Sequence, residues 1–192
     1  MVRPLEFDNK QALRAAMQTF WTKGYDGASL PDLLLAMDIS RSSLYNTYKD
    51  KPTLFQQTLT YYQQTIGASK REALTKAPSA KEGIWQYFYR LLEVALSEEF
   101  PGGCYFTNIA TSLETADEQT RQQIEDSLRS LEQLFYETLR RGQQQGEFDP
   151  EQDMRKKAAL LLGLSQGLNV LSRVYKDRER FEPMIHAALE DL

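Results

Sequence analysis

Apolar residues along this chain recur every three or four positions, and nowhere do they alternate with period two for long enough to make a strand. From Leu13 they fall at Ala16, Met17, Phe20 and Trp21, the one-sided stripe of an amphipathic helix. Asp8 stands as its N-cap, and Gly24 supplies the permissive residue at its C-terminal end. Ser29-Leu30-Pro31-Asp32 reads as a capping box, Ser29 at the N-cap and Asp32 at N3, opening a short helix with stripe Leu30, Leu33, Leu34 and Met37. Ser40 caps a third helix with Leu44, Tyr45 and Tyr48 inward. A fourth begins near Lys51-Pro52, proline being suited to a first turn, and continues through Leu54, Phe55, Leu59, Tyr62 and Ile66 to about Ala77.

The later helices are longer. Ser79 to Glu82 is another capping box, leading into Ile84, Trp85, Phe88, Leu91, Leu92 and Ala95. Pro101-Gly102-Gly103 breaks that helix, and a short one carries Tyr105, Phe106, Ile109, Ala110 and Leu113. Thr115-Ala116-Asp117-Glu118 caps a helix with Ile124, Leu128, Leu131 and Phe135 on one face, ending before the stretch Gly142 to Gly146. Asp149-Pro150 starts the next, running towards Tyr175, and Phe181, Met184, Ile185, Ala188 and Leu189 mark the last. The expected fold class is all-α, with about nine helices.

Composition narrows the function classes. The 192 residues are 41% apolar and 26% charged, which is a globular composition, and no run approaches the roughly 18 apolar residues of a membrane span. The first eight residues carry acids and no apolar core of a signal peptide, so the expected location is cytoplasmic, with no membrane partner. One cysteine, Cys104, and one histidine, His186, exclude an internal disulfide, a multi-thiolate zinc site and a His-rich metal site. No cofactor is expected. Net charge is −4, but it is uneven: through Lys51 there are seven basic against six acidic residues, and beyond it sixteen against twenty-one. An acidic body carrying one cationic module fits that asymmetry.

Residues 29–51 hold the informative chemistry. Two short helices joined by Met37-Asp38-Ile39-Ser40 have the length and tight turn of a helix-turn-helix. The turn needs positive φ, which Asp38 supplies at more strain than glycine. The outward side of the third helix shows Arg41, Ser42, Asn46 and Thr47; arginine and asparagine are shaped to read guanine and adenine edges bidentately. Lys51, at the next helix N-terminus, is placed to meet a phosphate, helped by free backbone N–H groups. Capped helical hairpins with polar faces also occur in proteins that never touch DNA, so pattern alone leaves both readings open.

The run Phe20 to Leu33, with Lys23-Gly24-Tyr25 and the capped second helix, followed by Ile39-Ser40-Arg41-Ser42-Ser43-Leu44-Tyr45-Asn46-Thr47-Tyr48-Lys49-Asp50-Lys51-Pro52-Thr53-Leu54-Phe55, resembles the signature of the TetR family of bacterial transcriptional regulators. The resemblance implies a homodimer of subunits with a helix-turn-helix DNA-binding domain, residues 1–51, and a ligand-binding and dimerisation domain, residues 52–192, linked by helix 52–77. It implies that Arg41, Ser42, Ser43, Tyr45 and Asn46 face base edges, that Ser29, Thr47 and Lys51 hold phosphates, and that Tyr25 and Tyr48 pack the head. Three residues depart from the pattern: Asp38 stands for the usual glycine, Leu34 for a small alanine, and Ser43 for a common glycine. The implied partner is a double-stranded, roughly palindromic operator, bound with steep salt dependence and released by a small-molecule effector.

Readings of the body stay double. Trp85, Tyr87, Phe88 and Tyr89, with Tyr105 and Phe106, concentrate aromatics that either pack the core or line a pocket for an apolar or aromatic effector; Trp85, Phe88, Tyr89, Tyr105 and Phe106 are the candidates. Residues 158–168 are apolar nearly all round, so that helix buries two sides, one against its own domain and one against a partner. Ala159, Gly163 and Gly167 would admit a close approach there, and with Ile185 they form the expected dimer face. A monomeric core helix is the alternative, and His186 is expected at the interface or the surface. Cys104, expected in a helix first turn, is either a redox or electrophile sensor or an inert packed thiol. An enzyme is not expected: no phosphate loop or nucleophile pair is present, and Glu98, Glu99, Glu114, Asp117 and Glu118 read as solvated faces and caps. The remaining alternative is a helical interaction module without DNA binding.

Overall fold

A computed structural model describes residues 9–111 and 117–190, and every regular element among them is helical. The helices are α1 (Asn9–Gly27), α2 (Leu30–Met37), α3 (Arg41–Tyr48), α4 (Lys51–Tyr62), α5 (Ala68–Lys76), α6 (Ala80–Ala95), α7 (Tyr105–Ala110), α8 (Glu118–Gln144), α9 (Met154–Leu171) and α10 (Arg178–Glu190). A π-helical turn, Gln63–Gly67, joins α4 to α5 without a break, so the expected continuous helix exists with a wider turn in its middle. Asp8, Leu113, Glu114 and Thr115 lie outside the described residues.

The described residues pack as two units, divided between Thr65 and Ile66. The sequence reading divided the chain after Lys51, whereas α4 packs with the first unit: it buries Leu54, Phe55, Leu59 and Tyr62, its amphipathic face lying along α1. Phe20 meets Phe55 edge-on at 5.0 Å, and Trp21 meets Tyr62 edge-on at 5.4 Å. Leu33 from α2 and Leu44 from α3 complete this core with no exposed surface, each such leucine contributing about 2 kcal/mol of burial. α1 does not end at Gly24. That residue turns the path with φ 73°, ψ 172°, and one more turn follows to Gly27.

In the second unit α5 pairs with α6 and α8 with α9, around a core that includes Phe88, Phe135, Leu139, Leu161, Phe181 and Ile185. Three boundaries differ from the sequence reading. α6 stops at Ala95, six residues ahead of Pro101. α8 runs through Gly142 to Gln144, because Gly142 is a packing position and not a terminator. α9 begins at Met154, capped by the Asp153 carboxylate, while Asp149-Pro150 forms a turn whose carbonyls accept from the Gln143 side chain.

Ser79 caps α6 by accepting from the Glu82 N–H at 3.1 Å, but Glu82 does not reciprocate; its carboxylate accepts from Gln86 instead. The missing acid comes from a distant residue. Glu147 accepts from the N–H groups of Ala80 and Lys81, both at 2.9 Å. Partial burial pushes the Glu147 carboxyl up, yet the two N–H donors, Ser79 and Arg141 outweigh it and hold the group below its ordinary value. A carboxyl lowered on folding stabilises fully above the unfolded value, near 4.3, and loses that contribution as pH falls through the folded value. Glu147→Gln should therefore lower the thermal midpoint at pH 7 and narrow its gap to wild type progressively below about pH 4. A gap that is constant with pH would mean the charge is not what Glu147 contributes.

Candidate nucleic-acid interface

The recognition hairpin is built from local capping. Ser29 accepts from the Asp32 N–H at 3.2 Å, and the Asp32 carboxylate accepts from both the N–H (3.0 Å) and hydroxyl (2.6 Å) of Ser29. Lys23 closes on the same carboxylate at 2.6 Å. The Lys23 contact first, and the Ser29 donors after it, bring the Asp32 pKa down to about 2. The turn that follows places Asp38 at φ 53°, ψ 45°, in the left-handed region the sequence demanded of it. Ser40 then caps α3 by accepting from the Ser43 N–H at 3.1 Å, and its hydroxyl also meets those of Ser42 and Ser43, each at 2.9 Å.

Leu44 and Tyr48 are the only fully buried residues of α3, and they orient the helix. Tyr48 is locked further by donating its hydroxyl to Asn9 at the start of α1, and burial raises its pKa. With an advance of about 100° per residue, the face opposite that anchor holds Ser42 and Asn46, flanked by Arg41 and Tyr45 on one side and by Ser43 and Thr47 on the other. Arg41, Ser42, Tyr45, Asn46 and Thr47 are exposed, and Ser43 is half-buried. Tyr45, read as an inward residue from periodicity, is 45% exposed, with the Arg41 guanidinium over its ring at 5.9 Å. The two-turn helix has only one narrow inward stripe, and Leu44 with Tyr48 fills it.

The three residues assigned to phosphates differ in what they offer. Thr47 is open on the surface. Ser29 already donates its hydroxyl to Asp32, so a phosphate arriving there meets an occupied donor beside a carboxylate. Lys51 begins α4, but that terminus is not the open set of N–H groups expected. The Asp50 carboxylate accepts from Thr53 at 2.8 Å and is held below its ordinary pKa by that residue, while Pro52 has no N–H to give. The cation of Lys51 is thus the anion-attracting group at this position.

In the second unit the aromatic candidates separate. Trp85 and Tyr89 stack at 5.9 Å on an outward edge of α6, with the exposed His186 4.6 Å from Trp85. Phe88 stacks on Phe135 at 6.1 Å within the core. Tyr105 and Phe106 are buried on α7. Tyr87 belongs with Phe88 in the core, edge-on to it at 5.3 Å and to Phe135 at 4.9 Å, and burial first, then the neighbouring Cys104, push its hydroxyl pKa up. Periodicity places Tyr87 with its helix neighbours, and its contact with Phe135 of α8 puts it in the core. Cys104 is the buried N-cap of α7.

On α9, Ala159, Leu160, Gly163, Gly167 and Val170 are exposed along one side, followed by Val174 and Tyr175, with Met184 and Ala187 exposed on α10. Nothing lies within 4 Å of where a Cβ on Gly163 or Gly167 would stand. Ile185, expected on this face, is 1% exposed and packs in the chain's own core; the outward positions beside it are Met184 and His186. No described helix is long and apolar enough to cross a membrane.

Against known proteins, residues 12–58 match the family model described as bacterial regulatory proteins, tetR family, and residues 80–188 match the tetracyclin repressor-like C-terminal domain. The chain is 32% identical over 193 residues, all of both chains, to the uncharacterised HTH-type transcriptional regulator YezE of Bacillus subtilis (strain 168). It is 29% identical to the HTH-type transcriptional repressor ComR of Escherichia coli (strain K12), covering 89% of this chain and 82% of that one. Among solved structures, a cysteine-substituted form of the TetR family transcriptional regulator CifR, bound to 26 bp operator DNA, superposes with a TM-score of 0.88 at 34% identity over 98% of each chain. Both units thus match the same kind of protein, head and body in order, and this weighs against a helical module without DNA binding. The chain belongs to the tetR family of bacterial regulatory proteins.

Proposed function

We propose that the protein is a homodimeric, sequence-specific transcriptional repressor of the cytoplasm that reads a palindromic operator with α3 and leaves it when a small molecule binds the C-terminal unit. The observation that carries the reading is the polar outer face of α3, with Arg41, Ser42, Tyr45 and Asn46 exposed on a helix fixed by Leu44 and Tyr48. These residues meet base edges in the major groove, with Ser43 at the margin, while Thr47, Lys51 and the capped Ser29 lie along the phosphates. The protein acts by binding and has no reaction to catalyse. Its effector shifts the equilibrium only by preferring the form that does not bind DNA. Selection of duplexes from a randomised library tests this directly: recovery of a symmetric consensus supports it, and recovery of no sequence preference removes it.

The exposed stripe of α9 with Met184 and Ala187 supplies the dimer face, Gly163 and Gly167 letting two copies approach closely. Gly163→Glu would set a carboxylate from each subunit into that apolar contact, at a penalty of several kcal/mol. The dimer should then dissociate at about 100-fold or more lower dilution, read by sedimentation, with operator affinity falling alongside. An unchanged dimer would place the interface elsewhere.

A further inference from the structure

Tyr25 lies outside the set of residues assigned to DNA, yet its ring sits beneath the cation that meets the phosphate. Gly24 interrupts the helical path of α1, and the residue after it swings its ring onto α4. There the ring centroid stands 4.9 Å from that of Phe55 and 6.1 Å from that of Phe20, a seat made by two buried aromatics. Lys51 and Phe55 are four apart on α4 and share a face. The Lys51 ammonium lies over the Tyr25 ring, 4.6 Å from its centroid. We propose that Tyr25 is a positioning residue for DNA binding, holding the Lys51 ammonium between its ring face and an incoming backbone phosphate.

The physical reason is preorganisation. A free lysine stem samples many rotamers, and ordering it on binding lowers affinity by a few-fold to about tenfold per side chain. A ring face attracts the ammonium without neutralising it, so the cation is fixed in place and keeps its full charge for the phosphate. Asp50 could not serve as that anchor, because its carboxylate would compete with the phosphate; it is engaged instead with the Thr53 N–H. The backbone on the other side is also constrained. Lys49 has φ 72°, ψ −62°, and the Asp50 N–H donates to the Tyr48 carbonyl at 2.9 Å, a tight turn of a strained kind that sets where α4 starts after α3.

This rests on the DNA-binding reading, and the test separates the two. The full-length protein selects a duplex from a randomised library, and its affinity for that duplex and for a scrambled one is measured for Tyr25→Leu, Tyr25→Phe, Lys51→Ala and the Tyr25→Leu/Lys51→Ala pair. Tyr25→Leu should weaken both duplexes about fivefold or more in the dimer, Tyr25→Phe should restore most of the loss, and Tyr25→Leu should have no further effect once Lys51 is alanine. In the DNA-free protein, the Lys51 side-chain proton resonances should carry a ring-current shift that Tyr25→Phe keeps and Tyr25→Leu removes. Equal or tighter binding by Tyr25→Leu would mean that the lysine must leave the ring to reach DNA. The same loss with and without Lys51 would mean that Tyr25 only holds the fold. Either overturns the proposal while DNA binding stands; failure of the wild-type protein to retain any duplex overturns both.

Discussion

Asn46→Ala should lower affinity for the operator by about 30-fold to 10⁴-fold while leaving affinity for unrelated duplex nearly unchanged. A bidentate base contact is worth about 1–3 kcal/mol, and a symmetric dimer makes it twice. Asn46 is the residue to remove because it faces away from the Leu44–Tyr48 anchor and is exposed, so its loss leaves the packing of α3 untouched. Lys51→Ala should behave in the opposite manner. It should weaken selected and scrambled duplexes alike and reduce the slope of log affinity against log salt by about two per dimer. Fluorescence anisotropy at several salt concentrations reads both. If Asn46→Ala weakened both duplexes equally, α3 would not be the reading helix.

The second large effect lies in the body. Gly142→Ala should destabilise the protein by about 2 kcal/mol or more, although alanine is the better helix former by about 1 kcal/mol. Gly142 lies inside α8, and a Cβ there would stand 2.3 Å from Cε2 of Phe148 and 2.6 Å from the Ala80 Cβ. Phe148 is 4% exposed, and its ring carries the Lys81 ammonium at 5.6 Å. Moving the ring aside would open a buried contact and disturb the start of α6, which Glu147 caps from the neighbouring position. Circular dichroism melting should place Gly142→Ala several degrees below wild type, and Gly142→Leu lower still. An alanine variant melting at or above wild type would mean that propensity outweighs this contact.

The two sites differ in how far they could be foreseen. The caps of α2 and α3 involve residues within three positions of each other, so Ser29, Asp32 and Ser40 announce themselves, and so does the turn at Asp38. Gly142 carries the same composition signal as a helix end and serves the contrary purpose. Glu147 reaches Ala80 across 67 positions, a partnership no local pattern contains. Periodicity alone sets Tyr45 inward, because it tells on which angle of a helix a residue lies but not how wide the covered sector is. For α3 the sector is narrow and Tyr45 falls outside it; for α10 it reaches Ile185 and closes the core over it.

Sequence alone determined the helical class, the caps of α2 and α3 and the hairpin of the head, since each depends on neighbours a turn or so away. Tertiary structure decided which of two apolar sides each body helix leaves uncovered. It also set the Tyr25 ring under the ammonium of Lys51. Those outcomes depend on surfaces brought together from distant parts of the chain, where steric fit and the local field, and not residue type, select the arrangement.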